Sequence, residues 1–240
     1  MTVAEEFVEL FSRSTIVDLA HALEAGIPTY PTHTKFFQNQ WLSMGDVARM
    51  NQLVIGEHTG THVDSPSHFP ISGSSSGVAM ESIALDTLIG RCVTIRLPES
   101  MEANQMHGPE HLQRWEASHG DVLPGDIVLL DFQWAATRWL LGEDGFANLQ
   151  GWPGIDKEFA EALRDRGAKV VGTDCISLDS ADGGRGALPA HFTLLEAGVL
   201  IMENLANLHL LPPVSFFMAL PLKIKNGTGS PIRAVALVER

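Results

Sequence analysis

His58-Thr59-Gly60-Thr61-His62-Val63-Asp64-Ser65-Pro66-Ser67-His68 gathers three of the chain's ten histidines and an aspartate into eleven residues. His58, His62, Asp64 and His68 all fall at even positions. An extended backbone therefore turns all four to one face, and Thr59, Thr61, Val63, Ser65 and Ser67 to the other. A helix is disfavoured by Gly60 and Pro66. A straight strand would hold the Cα atoms of His58 and His62 roughly 13 Å apart, at ~3.3 Å per residue, too far to share one ion comfortably. Gly60 lies between them, where the chain is free to bend or bulge. Neutral imidazole with carboxylate is a ligand set for Zn, Mn or Fe, whereas Ca and Mg take oxygen cages. Polar residues on a solvated strand would account for a lone His-x-x-x-His, but not for four ligand-type residues about an obligatory small one. His107 and His111 repeat the spacing beside Gly108-Pro109, with no carboxylate on a matching face, and read as solvated histidines at a helix start.

Working outward, apolar or β-branched runs of strand length occur at 15–19, 52–56, 91–97, 126–132, 169–173, 199–203, 214–222 and 232–238. Helical spacing appears at 109–119, through Leu112 and Trp115, and at 155–166, through Phe159 and Leu163 up to Gly167. A shorter helix is expected at 192–197. Residues 1–14 alternate acids with Phe7, Val8, Leu10 and Phe11, the pattern of an amphipathic helix. The turn-rich stretch 226–231 predicts an antiparallel return between the last two strands. Strands dominate and helices interrupt them irregularly, so a β-rich α/β domain is expected, without the regular βαβα rhythm of a barrel or doubly wound sheet. No repeat, low-complexity tract or long linker divides the chain. One domain over 1–240 is the expectation.

Composition narrows the function. With 16 basic and 29 acidic residues, the net charge of −13 lacks the footprint of a nucleic-acid or anionic-membrane binder. No apolar run approaches the ~20 residues of a membrane span. Cys92 and Cys175 sit in apolar strand-like runs and read as buried free thiols of a reducing compartment. The first residues do not resemble a signal peptide. A cytoplasmic protein acting on a small molecule is expected.

The motif His58-x-Gly60-Thr61-His62-x-Asp64-x-Pro66-x-His68 resembles the defining signature of the metal-dependent cyclase family of hydrolases, which includes arylformamidases and isatin hydrolases. Asp18-Leu19, Pro28-Thr29-Tyr30-Pro31, Glu203-Asn204-Leu205, Leu220-Pro221-Leu222-Lys223-Ile224 and Ser230-Pro231-Ile232-Arg233-Ala234 are similar to further family segments, covering most of 15–240. The resemblance implies a curled, barrel-like mixed sheet flanked by helices, assembled as a homodimer or homotetramer. It implies that His58, His62 and Asp64 bind a first metal, Mn or Zn. In two-metal members Asp64 bridges to a second ion, joined by residues matching His191 and Glu203. It makes His68 the proton-transferring residue. Tyr30 stands where arylformamidases usually place Trp, and the chain is longer than theirs. Asp174-Cys175-Ile176-Ser177-Leu178-Asp179 resembles isatin-hydrolase-type members, some of which use one manganese ion.

The expected activity is metal-dependent hydrolysis of an amide, lactam or lactone bond in a small cyclic or aryl-substituted carbonyl compound. A bound metal lowers the pKa of water toward ~7, and an imidazole near ~6.5 suits the proton transfer. Arylformamidase action on N-formylkynurenine is the alternative within the class. A metal- or ligand-binding protein without turnover is the alternative outside it, opposed by the intact His68. Ser65, Ser67 and Cys175 do not lie in a G-x-S-x-G elbow and are poor nucleophile candidates. By pattern alone, Glu203 is equally a ligand or a carboxylate in water at the end of Val199-Leu200-Ile201-Met202. Among Tyr30, Phe36, Trp41, Phe69 and Trp134, mostly core residues, Tyr30 and Phe69 are best placed to line a flat apolar pocket.

Overall fold

The apolar runs at 126–132, 169–173 and 199–203 become short strands buried on both faces, as parallel strands packed between two layers must be. The computed structural model describes residues 1–41, 47–48, 50–99 and 102–240, with the side chains of Trp41 and Arg185 outside that description. Its first half runs α1 (Val3–Ser12), β1 (Ser14–Asp18), β2 (Phe37–Trp41), β3 (Met50–Val54), β4 (His62–Asp64), β5 (Ile89–Arg96), β6 (Met106–His107), α2 (Glu110–His119) and β7 (Ile127–Asp131). There follow α3 (Ala135–Arg138), α4 (Gly145–Leu149), β8 (Gly154–Ile155), α5 (Lys157–Asp165), β9 (Val170–Thr173), α6 (Gly183–Gly186) and α7 (Pro189–Glu196). The chain ends with β10 (Leu200–Glu203), β11 (Val214–Met218), β12 (Gly229–Pro231) and β13 (Val235–Glu239).

Nine strands form one mixed sheet in the order β1-β13-β11-β5-β7-β9-β10-β4-β12. Strands β5, β7, β9 and β10 are parallel, and the remaining neighbours pair antiparallel. The sheet curls into a half-barrel, so the expected curled α/β architecture is what the chain adopts. Its centre is more regular than the sequence rhythm implied. From β5 to β10, helices α2, α5 and α7 alternate with parallel strands. The short insertions α3, α4, β6 and β8 disguise that alternation in the sequence. The expected antiparallel return pairs β11 with β13, Phe217 opposite Ala236.

Side-chain alternation sorts residues between two cores. Val93, Ile95, Val128, Leu130, Val171 and Ile201 face the helices, where they meet Leu112, Phe159, Leu163 and Leu194. Cys92, Ile127, Leu129, Val170, Leu200 and Met202 face the inside of the curl, against Val63, Phe217 and Ala236. Helix α5 forms on its Asp156 cap, whose carboxylate accepts from Phe159 N at 2.8 Å, and its apolar stripe then buries Phe159, Ala160 and Leu163. Helix α1 buries none of its residues. No helix among the described residues is long and apolar enough to cross a membrane. Both cysteines are buried and free.

One expectation is corrected here. His107 is not solvated: it is 2% exposed at the end of β6, because β6 pairs with β8 and carries the ring inward against Phe132.

A close approach between side chains of the inner core occurs at Gly172 in β9, where a Cβ would stand 2.6 Å from Leu129 Cδ2 and 2.7 Å from Leu205 Cδ1. Gly172→Val is expected to lower unfolding stability by about 2 kcal/mol through overpacking. An unchanged denaturant midpoint would contradict this account of the core.

Candidate metal centre

Strand β4 lies between β10 and β12, so His62 faces Glu203 on one side and Pro231 on the other, while Asp64 faces Ile201 and Gly229. The motif does not run as one extended strand. It turns at Gly60, φ +62°, where a Cβ would meet Leu23 Cδ2 at 3.0 Å. It turns again through the 3-10 turn Pro66–His68. The second turn folds His68 back over His58, rings stacked at 3.9 Å and 26°. Convergence thus arises from two turns rather than from strand periodicity. Gly229 makes room: a Cβ there would stand 2.5 Å from His58 Cε1.

Three imidazoles surround Asp64, and in each the outer nitrogen is committed elsewhere. His62 donates from Nδ1 to the Gly60 carbonyl at 2.8 Å. His191, in the first turn of α7, donates from Nδ1 to Asp179 Oδ2 at 2.6 Å. His58 Nε2 lies 3.0 Å from Thr228 Oγ1, and that hydroxyl gives its own proton to Glu57 Oε2 at 2.7 Å, so Nε2 must be the donor. The inner nitrogens all point inward. His58 Nδ1 is 2.7 Å and His62 Nε2 3.5 Å from Asp64 Oδ1, and His191 Nε2 is 3.6 Å from Asp64 Oδ2. Glu203 joins them, Oε2 at 3.5 Å from His62 Nε2 and Oε1 at 3.3 Å from His191 Nε2. Outer partners that fix tautomer and aim the ring are the usual support of metal-binding histidine.

Asp64 is 1% exposed, and its Oδ2 has no hydrogen-bond partner among the described residues. A buried carboxylate oxygen without a hydrogen bond is costly, and a cation held between it, Glu203 and the inner imidazole nitrogens would satisfy it. The donor set fits a divalent ion. Two triads, His58–Asp64–His68 and His62–Asp64–Glu203, bring ligand atoms within 4.8 Å of one another. The protonation pattern follows the same charges. Burial raises Asp64, but His58 and the other imidazoles hold it well below the usual carboxylate range. Burial lowers His58, yet Asp64 lifts it above its ordinary value. Burial also works against His191, but the bond to Asp179 and the nearby carboxylates raise it well above.

All the residues singled out in the sequence come together: His58, His62, His68, His191 and Glu203 line one cavity of about 200 Å³ above Asp64, with Tyr30 and Phe69 in its walls. Glu203 is 6% exposed and accepts from Leu178 N at 3.0 Å, so it is not a strand-end carboxylate in water. Phe69 stacks on His191 at 4.7 Å. Phe36 and Trp134 are buried core, and the Trp41 side chain lies outside the described residues. His68 makes no side-chain hydrogen bond among the described residues, and burial lowers its pKa to about 4. Sequence reasoning missed Asp179, Thr228, Gly229 and the pocket residues His33 and Trp152. Only Asp179 left a signal, as the last residue of the segment 174–179.

Residues 17–180 match the family model described as "Putative cyclase". The isatin hydrolase of Roseibium aggregatum is 30% identical over 211 residues, 84% of this chain and 80% of its own. The kynurenine formamidase of Geobacillus thermodenitrificans is 29% identical over 225 residues, 91% of this chain and 95% of its own. Among solved structures, an isatin hydrolase bound to the product analogue thioisatinate has a TM-score of 0.88 at 26% identity, with 100% of both chains covered. Isatin hydrolase A from Labrenzia aggregata, bound to benzyl benzoate, has a TM-score of 0.89 at 28% identity over the same coverage.

The pinned-nitrogen arrangement makes a prediction for Asp179. Asp179→Asn removes the anionic partner of His191 and should weaken metal affinity by about 10-fold or more with the fold retained. Competition with a chelator, read beside circular dichroism, checks it, and unchanged affinity would show that Asp179 serves α7 alone.

Proposed function

The chain belongs to the cyclase family of hydrolases, and from that premise we propose that it opens the ring amide of a small, flat, isatin-like compound, using a divalent ion. His58, His62 and Asp64 are the proposed ligands of one Mn or Zn ion, with His191 and Glu203 completing the site or sharing a second. The observation carrying this proposal is the convergence of three inner imidazole nitrogens on the buried Asp64 carboxylate, those of His58 and His62 toward Oδ1 and that of His191 toward Oδ2. Lewis acidity, which polarises a carbonyl and acidifies water, is what such an ion supplies when bound.

The chain's own residues account for the rest. The cavity of about 200 Å³ is smaller than the roughly 300–1,000 Å³ of drug-sized pockets, and Tyr30, Phe69, Trp152 and Leu188 give it apolar walls. These suit one small ring system. The His68 side chain makes no hydrogen bond among the described residues, and with burial lowering its pKa to about 4 it can accept a proton at pH 7 and pass it on. It is a weaker base than an ordinary histidine but a stronger acid once protonated. That asymmetry favours delivery of a proton to the departing nitrogen. Arylformamidase action is the second reading, favoured by the 95% coverage of the Geobacillus kynurenine formamidase.

We also propose a homodimer or homotetramer. The β2–β3 hairpin exposes Phe37, Met50, Leu53 and Val54, and a two-stranded hairpin with an uncovered apolar face is marginal in water. Light scattering should return a multiple of the 26.1 kDa chain. A monomer would leave the hairpin unexplained.

Loaded with Mn²⁺ or Zn²⁺, the protein is expected to hydrolyse isatin with a kcat/KM at least ~10-fold above that for N-formylkynurenine. The reverse ratio would assign an arylformamidase, and turnover of neither would favour a binding protein. His68→Ala should keep its metal and lose kcat by about 10²-fold, with KM little changed. Metal loss in parallel with activity would make His68 a ligand instead.

A further inference from the structure

We propose, resting on the divalent-ion reading of the centre, that Asn204 is a positioning residue: its side-chain amide braces the Gly60 carbonyl and so holds His62 with its inner nitrogen bare for an ion. Two left-handed turns meet at this place. Gly60, φ +62°, lies two residues before His62, and Asn204, φ +55°, directly follows Glu203. The antiparallel register that sets His62 opposite Glu203 brings the turns together. Reciprocal hydrogen bonds join them. Asn204 Nδ2 donates to the Gly60 carbonyl at 3.1 Å, and Thr61 Oγ1 donates to the Asn204 carbonyl at 2.5 Å. His21 N in turn donates to Thr61 Oγ1 at 2.9 Å. Asn204 and Thr61 are both buried, so bulk solvent does not compete for these bonds.

The Gly60 carbonyl is the acceptor that fixes the His62 tautomer, through Nδ1 at 2.8 Å. A carbonyl oxygen has two lone pairs. Asn204 occupies one, which leaves the other to His62 and sets the direction in which the carbonyl points. A glycine peptide is least able to hold that direction unaided, because no Cβ restricts its backbone. Asn204 carries two costs in this role. The left-handed region is uncommon for a residue with a side chain. And because the Gly60 carbonyl can only accept, the amide must face it with its NH2 group. The other end is therefore Oδ1, buried and without a hydrogen-bond partner among the described residues. Glycine at 204 would avoid both costs. Strained backbone and unsatisfied buried atoms concentrate where a side chain serves a site, and the bond to Gly60 is what this amide contributes.

Asn204→Gly separates the brace from the turn, since glycine keeps the left-handed backbone and loses the amide. The test compares the full-length variant with the wild type. In metal-free protein, at a pH where the ring is neutral, ring-nitrogen NMR shifts of His62 should show Nδ1–H alone in the wild type and a mixture of tautomers in Asn204→Gly. Competition with a chelator should show Zn²⁺ held about 10-fold or more weakly by the variant. An amide that merely supported the fold would lower Tm and leave the tautomer alone. A mixture already present in the wild type, or Nδ1–H alone in folded Asn204→Gly, overturns the inference. A wild type that holds no divalent ion would overturn the metal-centred reading instead, and the tautomer comparison would still decide the brace. Should Asn204→Gly not fold, Asn204→Asp takes its place in the same spectrum: it tolerates the left-handed turn and, when ionised, offers the Gly60 carbonyl no donor.

Discussion

A carboxylate held at 1% exposure, with one oxygen lacking a hydrogen bond among the described residues, is the constraint about which this molecule is arranged. Isolating such a group from water costs several kcal/mol unless charge is supplied beside it. Asp64 is supplied by three imidazoles, and each imidazole is supplied in turn by an outer acceptor: Thr228 backed by Glu57, the Gly60 carbonyl, and Asp179. The outer acceptors decide which nitrogen carries a proton, and hence which faces inward. Removing one would therefore act on the centre through a tautomer rather than through a lost contact.

The fold delivers these layers from opposite directions. Antiparallel pairing of β4 with β10 sets His62 opposite Glu203, a register fixed by the burial of Val63 in the inner core. The parallel crossover ending in α7 brings His191 from the other side. Asp179 joins the two roles of that crossover. Its carboxylate accepts the backbone N–H groups of Ala190 and His191, at 2.9 and 3.1 Å, and the His191 ring as well. A carboxylate at the start of a helix is stabilised by the helix dipole, so one residue caps α7 and aims its histidine.

Much of this was legible in the sequence, and what was not has physical causes. The buried strands β5, β7, β9 and β10 announced themselves as apolar runs, because both of their faces are covered. Strand β2, Phe37-Gln38-Asn39-Gln40-Trp41, escaped detection because its middle is polar. The ligand-type residues were visible as a cluster, yet even-position periodicity was the wrong geometry for it. Gly60 and the Pro66–His68 turn, not the pleat, bring the rings together. Asp179, Thr228 and Gly229 act across long sequence separations, where no local pattern records them. His107 misled for a similar reason, since its burial depends on pairing with a strand some fifty residues away.

The outer partners also grade the three imidazoles. A ring whose far N–H is given to an anion is more electron-rich, and a better ligand, than one whose N–H is given to a neutral oxygen. His191 faces the Asp179 carboxylate directly, His62 faces a peptide carbonyl, and His58 meets a hydroxyl that relays Glu57. Protons respond to the same gradient: His191 is raised well above an ordinary histidine, against the effect of its burial. A proton and a divalent ion compete for the same inner nitrogen, because binding an ion requires that nitrogen to be bare. The ring with the strongest support as a ligand is therefore also the hardest to deprotonate. Buried acids beside it, Asp64 and Glu203, lie 3.6 and 3.3 Å from that nitrogen and are the groups that would meet an ion in its place.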